Sequence, residues 1–272
     1  MCEFCIKHGE GKKWYLSSQN YSKHLIEKNP DLLKQTLKIL DEFPEKPPSG
    51  MSFAEKLLRV PLLGRVVARI FTRKMKRLHF GQVVPLRDVS AILDVADTIT
   101  LFPCVCRGLT MNAGDERYCF GLGIFPREIA DEIPFYRDKW QAVEKREALE
   151  LISEFAKSGL VQTVWTLGTP FIVGLCNCRL GECLALNYTV GLRAKMLFKS
   201  EYVVSIDPEK CVGCKRCMEV CNFGALVYHE REKRCIINHE KCFGCGLCVL
   251  ACEVGAVGIR PREGTELSPK RF

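Results

Sequence analysis

The sequence predicts an α+β protein. An α-rich N-terminal region leads to a small cysteine-bearing α/β domain, and a compact C-terminal domain built on a repeat follows. Three observations carry this. Apolar residues recur at helical spacing near residues 61–80 and 142–158. Short runs rich in β-branched and aromatic residues, TITLF, LVQTVWTL and TPFIVGL, read as strands, and cysteine knots follow TITLF and PFIVG. A cysteine frame occurs twice, as CVGCKRCMEVC at 211–221 and CFGCGLCVLAC at 242–252. The expected boundaries are a helical region at 1–80, a cysteine-bearing α+β domain at 81–200, the repeat domain at 201–260 and a tail at 261–272.

Composition narrows the class. The chain has 272 residues, 17 cysteines and a net charge of +8. No apolar run approaches the ~18 residues of a membrane span, and MCEFCIKHGEGKKWY lacks the apolar core of a secretory signal. A cytoplasmic location is therefore expected. Tightly clustered cysteines in a reducing compartment favour metal binding over disulfides. The positive charge is local: residues 51–80 hold eight Lys or Arg and one Glu, whereas 81–272 are balanced at 24 of each sign.

At the N-terminus, Cys2, Cys5 and His8 make half a zinc site at most, so a flexible terminus with two thiols is the simpler expectation. NYSKHLIEKNPDLLKQTLKILDEF reads as two helices broken at Asn29-Pro30, and EFPEKPPSG as a linker. Ser52 and Glu55 have the spacing of a capping box. In the helix that follows, Leu62, Leu63, Val66, Val67, Ile70, Phe71 and Leu78 fall on one side. Arg65, Arg69, Arg73, Lys76 and Arg77 fall on the other. Such a basic amphipathic helix packs on the core, docks an acidic redox partner, or lies on the inner face of an anionic membrane. No nucleic-acid module accompanies the charge, so nucleic acid is not an expected partner.

In the middle of the chain, LRDVSAILDVA and AVEKREALELISEFAKS read as helices, the second ended by Gly159. LVQTVWTL and TPFIVGL read as a hairpin around Gly168. Six cysteines lie in two knots: Cys104 and Cys106 with Cys119, then Cys176, Cys178 and Cys183. These six are the candidate ligands of a third metal centre, an iron–sulfur cluster by preference and zinc as the alternative. Arg107 and Arg179 each follow a C-x-C pair and are candidate donors to a cluster sulfur or an anion, or else solvated surface residues.

Each copy of the repeat reads C-x2-C-x2-C-x3-C. Thiolates are soft ligands that suit iron–sulfur clusters, and three cysteines at this spacing can wrap one face of a cubane. A pair of zinc sites is the competing reading, but zinc needs two pairs rather than a triplet plus one. Over residues 202–260 the paired frame resembles the bacterial two-cluster ferredoxins. The resemblance implies a two-cluster ferredoxin-like domain in which Cys211, Cys214, Cys217 and Cys252 hold one [4Fe–4S] cluster. It implies that Cys242, Cys245, Cys248 and Cys221 hold the other. Two residues depart from that family, which usually has Pro after the fourth cysteine: Asn222 and Glu253 stand there. Gly213, Gly244 and Gly246 fit loops whose backbone approaches a cluster. EYVVSID and ALVYHEREKRCIIN read as strands, with Cys235 an ordinary buried thiol. From about residue 83 to 260 the chain also resembles uncharacterised dicluster ferredoxin-like proteins that carry C-x-C-R and CNC knots upstream.

Two cubanes with no open ligand position accept and donate single electrons. The expected function is therefore iron–sulfur electron transfer in an anaerobic or reducing setting, to a protein partner or within a larger redox complex. The alternative is a reductase or reductive activator whose middle cysteine site binds a substrate or cofactor fed by the two clusters. GLGIFP does not fit a dinucleotide fingerprint, and no P-loop is present.

Overall fold

The computed structural model describes residues 3–21, 51–111, 113, 115–123, 139–166 and 170–267. Cys2, the two helices expected at 21–43 beyond Tyr21, the EFPEKPPSG linker and the Gly168 turn lie outside the described residues. Helices and sheets are both present, as an α+β class requires.

The N-terminus is not the loose tether that its sequence suggests. A short helix, Glu3–His8, and two 3-10 turns, Trp14–Leu16 and Ser18–Asn20, carry Cys5, Trp14 and Tyr15 into full burial. The Trp14 indole N–H donates to Gln82 Oε1 at 2.5 Å, which satisfies both buried groups. Helices Met51–Arg59 and Leu63–Leu78 then pack on each other. Ser52 lies inside the first of them rather than at its cap. The second is turned from the expected orientation. Gly64 and Ala68 face inward with Val67 and Phe71, against Leu58, Tyr188 and Ala194, and Met75 is buried further along the helix. Leu62, Leu63, Val66 and Ile70 stay exposed. The apolar arc is wider than the contact, and the smallest residues take the close approach.

A seven-stranded sheet follows, in the order β4-β2-β3-β6-β5-β1-β7. Its strands are β1 (Gly81–Val83), β2 (Ile99–Pro103), β3 (Arg117–Leu122), β4 (Gln141–Ala142), β5 (Val161–Thr166), β6 (Ile172–Cys178) and β7 (Leu197–Phe198). All neighbours are antiparallel except β1 and β7. The expected hairpin is β5 with β6, and helix Lys145–Lys157 ends before Gly159 at φ +85°. Strand alternation sorts the two faces. Phe120, Leu175 and Val164 form one cross-strand row and join Val89, Ile92, Ala148 and Ile152 of helices Leu86–Val95 and Lys145–Lys157 in the main core. The next row, Cys119, Cys176 and Thr163, points to the opposite face.

The C-terminal segment pairs β8 (Tyr202–Ile206) with β11 (Val257–Pro261), and β9 (Leu226–His229) with β10 (Arg234–Ile237). Asp88, nearly buried, ties this segment to the rest. It accepts from Lys13 Nζ at 2.7 Å, Tyr15 OH at 2.7 Å and Tyr202 OH at 2.6 Å.

His79 sits between the rings of Phe4 and Phe198, with centroids at 3.8 and 3.9 Å, and its Nε2 lies 3.2 Å from Gln82 Oε1. Burial lowers its pKa to about 4, against the partial opposition of Gln82. As pH falls, the unfolded chain takes up this proton near the ordinary value of 6.5 while the folded chain resists until about 4. Stability is therefore intact above pH 6.5 and drains as pH drops toward 4. Between pH 7 and pH 5 the expected loss from His79 is about 2 kcal/mol. Urea unfolding followed by tryptophan fluorescence should show that slope, and His79→Phe should flatten it. An equal slope in the variant would refute the assignment.

Candidate metal centres

Each repeated frame forms a loop that ends in a single helical turn, Arg216–Glu219 in the first and Leu247–Leu250 in the second. The residue before each turn is left-handed: Lys215 at φ +66° and Gly246 at φ +82°. Gly213 and Gly244 occupy the same slot of the two frames, at φ +68° and +69°. A Cβ on Gly213 would lie 2.3 Å from Lys233 O, and one on Gly244 would lie 2.3 Å from Tyr202 O. These glycines thus let the loops approach the turn before the strand Arg234–Ile237 and the strand Tyr202–Ile206, a packing need that adds to the cluster approach expected of them.

Two cavities lie beneath the loops. One is lined by Cys242, Cys245 and Cys248 of the second frame and by Cys221 of the first. The other is lined by Cys211, Cys214 and Cys217 of the first frame and by Cys252 of the second. The last cysteine of each frame thus faces its partner's triplet, because the turn after the third cysteine carries the chain across. Burial pushes the Cys217 and Cys245 thiols up to about 12, so a cation that takes their place must displace bound protons. All these cysteines are free thiols. A soft donor set of this kind, with apolar walls, fits an iron–sulfur cluster.

Residues 210–256 match a family model, the 4Fe-4S dicluster domain. This segment is a ferredoxin-type domain. It supports an iron–sulfur electron-transfer role for the chain. No curated protein matches the chain.

Within the ferredoxin-type domain, both residues that replace the usual proline have partners. Asn222 Oδ1 accepts from the Leu180 N–H at 2.8 Å, and its Nδ2 donates to Gly159 O at 2.9 Å. It staples the domain to the turn after β6. Glu253 forms an ion pair with Arg216 of the opposite frame. Proline's missing N–H is not the point. The side chain at this slot is used as a tether, and nothing in the frame's spacing reveals that. Cys235 is buried as expected, yet it lines the first frame's cavity and its thiol meets that of Cys217. Lys199 and Arg262, both nearly buried, stand on the second frame's side. Lys199 Nζ donates to His239 O and Glu240 O, and Arg262 donates to Ser200 O and Tyr202 O. Burial lowers the Lys199 pKa to about 8. Neither residue stood out in the sequence.

The fold brings the two upstream knots together. Cys119 on β3 stands directly opposite Cys176 on β6, two residues from Cys178. Cys104 and Cys106 lie where β2 passes into helix Val105–Met111, and Cys183 opens the turn Leu184–Leu186. The Cys119 thiol hydrogen-bonds to those of Cys104 and Cys176, and the Cys183 thiol to those of Cys106 and Cys178. The donated bond from Cys119, reinforced by Arg107, holds Cys104 below the usual thiol range. Contact with Cys183, together with burial, pushes Cys106 up.

The two C-x-C arginines part company. Arg107 is 3% exposed, lies 3.7 Å over the Tyr118 ring and donates to Glu182 at 2.6 and 3.0 Å, and to Cys104 Sγ at 3.6 Å. Arg179 is half-exposed and donates to Glu182 and to Ser158 O. Glu182, which sequence reasoning passed over, thus clamps the two knots. Thr110 adds to the clamp by donating to Glu182 O at 2.7 Å. Among the described residues, no three His, Cys, Asp or Glu side chains converge on a point fit for one metal ion. None of the described helices is long and apolar enough to cross a membrane.

Proposed function

We propose that the ferredoxin-type domain carries single electrons through two [4Fe–4S] clusters, one held by Cys211, Cys214, Cys217 and Cys252 and the other by Cys242, Cys245, Cys248 and Cys221. The pair of cavities, each lined by three cysteines of one frame and the last cysteine of the other, is the observation that carries this reading. Each cluster, when bound, supplies a one-electron couple. The protein excludes water with apolar walls and sets the local charge. On the second frame's side the buried cations Lys199 and Arg262 stand close enough to Cys242 to act on its charge, which favours the reduced, more negative state.

The electron's other terminus is a protein partner with an acidic docking surface. Helix Leu63–Leu78 supports this choice. It leaves Leu63, Val66 and Ile70 exposed beside Arg65, Arg69, Arg73 and Lys74, and it contains no acidic residue. A basic surface with an apolar centre is the complement of an acidic partner. The same helix also suits peripheral attachment to an anionic membrane.

The test uses the full chain, purified without oxygen and reduced for EPR. Two adjacent cubanes should give a coupled spectrum. Cys211→Ser and Cys252→Ser should disturb one and the same cluster, and Cys245→Ser and Cys221→Ser the other. If Cys252→Ser instead behaves like Cys245→Ser, the crossed ligation is wrong.

A further inference from the structure

We infer that the chain exchanges electrons with its partner at the first frame's cavity, and that the upstream domain seals the second frame's cavity as an internal stage of the relay. The inference rests on the two-cluster reading and names the point at which the partner's electron crosses. It stands on a comparison of matched residues. The offset that pairs Cys211 with Cys242 also pairs the walls of the two cavities: Val254 with Phe223, Val212 with Phe243 and Cys235 with Val204. The cavities follow one plan, so the difference between them lies in what covers them.

Over the second frame, Phe223 and Phe243 are 5% and 6% exposed, and their rings stack at 4.3 Å. Their counterparts over the first frame, Val254 and Val212, are 47% and 66% exposed. Cys214 is exposed, whereas its counterpart Cys245 is only partly so. The upstream domain supplies the cover. Phe223 and Phe243 share an apolar core with Ala156, Val161 and Leu186. A Cβ on Gly246 would lie 3.6 Å from that of Pro85, which opens helix Leu86–Val95. The matching residue of the first frame is Lys215, exposed, with its ammonium 3.9 Å over the Tyr228 ring of its own domain. Asn222, beside Cys221 of the second cavity, bonds outward to Leu180 and Gly159. Its counterpart Glu253 turns inward to Arg216. An apolar shell controls the access of solvent to a metal site. Here that shell is closed over one cavity and open over the other. A partner that gives up one electron is oxidised by one unit as the first frame's side is reduced by one. From there the electron passes inward, and it leaves for an acceptor by the same opening.

Full-length protein, purified without oxygen and reduced, should be read by EPR with and without chelated dysprosium, which speeds the spin relaxation of centres it can approach. In wild type one cluster should relax several-fold faster with dysprosium while the other barely changes. Val212→Phe/Val254→Phe copies the second frame's cover onto the first. It should remove most of that enhancement and slow electron uptake from reduced methyl viologen several-fold. Hydrogen–deuterium exchange of the wild-type chain needs no variant: amides at 211–217 should exchange faster than those at 242–248. Equal enhancement of the two clusters, an enhancement that the folded variant keeps, or equal exchange of the two loops would overturn the inference and leave the two-cluster reading intact. Absence of a coupled signal would instead sink the two-cluster reading, and this inference with it.

Discussion

Gly244→Ala should abolish assembly of the second frame's cluster and remove about half of the iron bound by the ferredoxin-type domain. The added Cβ would stand 2.3 Å from Tyr202 O and 2.4 Å from Ser200 Oγ. Neither atom is free to retreat. The Tyr202 carbonyl accepts from Arg262 at 2.8 Å, and the Ser200 hydroxyl donates to Gly244 O at 2.7 Å. To this clash is added the cost of φ +69° for a residue with a side chain, about 1–2 kcal/mol. Gly213→Ala should damage the first frame in the same way, through Lys233 O. Gly255→Ala is the control. Its φ is +64°, but a Cβ there meets nothing within 4 Å, so only the backbone cost of about 1–2 kcal/mol remains. Iron content and visible absorbance of the three variants decide the matter. Equal loss at positions 244 and 255 would show that backbone strain, rather than the carbonyl contact, is responsible.

Asp88→Ala should lower unfolding stability by about 3–5 kcal/mol, because it breaks three hydrogen bonds to a carboxylate and strands a buried hydroxyl. The carboxylate is nearly buried, and Lys13 and two tyrosine hydroxyls converge on it. Once it is gone, the Tyr15 hydroxyl is buried without its acceptor and Lys13 loses its counter-charge. Asp88→Asn keeps the shape but surrenders the charge. It should cost less, about 1.5–3 kcal/mol. The exposed pair Lys145–Asp94 provides the contrast, since Lys145→Ala should cost no more than about 1 kcal/mol. Urea denaturation measures all three. An Asp88→Ala loss below that of Lys145→Ala would mean the network is not the tie it is taken to be.

What the sequence made legible was whatever is encoded at short range. The doubled cysteine frame, the helix ended by Gly159, the β5–β6 hairpin and the strands before and between the frames all rest on local spacing, and each is present. What it concealed depends on register and packing. Arg107 and Arg179 have the same C-x-C context, yet one is buried under Tyr118 and the other is half in solvent. Asn222 and Glu253 looked like losses of proline, whereas both are side-chain tethers. The basic helix showed a broad apolar arc, and periodicity alone cannot say which part of a broad arc meets the core. Trp14 and Tyr15 sit among polar neighbours with no periodic signal, so their place in the main core was hidden.

The Asp88 network also has a bearing on the order of events during synthesis. Its donors come from residues 13, 15 and 202, and the tyrosine at 202 is 114 positions beyond the aspartate. On the ribosome, the sheet and its helices emerge while the carboxylate still lacks its last donor. Contacts of such long sequence separation form late, after the loop-closure entropy has been met. The last bond to Asp88 therefore forms only when β8 arrives, and β8 is the strand that β11, beyond the second frame, must join. A chain interrupted before residue 257 leaves that strand unpaired. The tie between the large sheet and the C-terminal segment, and the strand pair beside the frames, thus both wait on residues made late in synthesis.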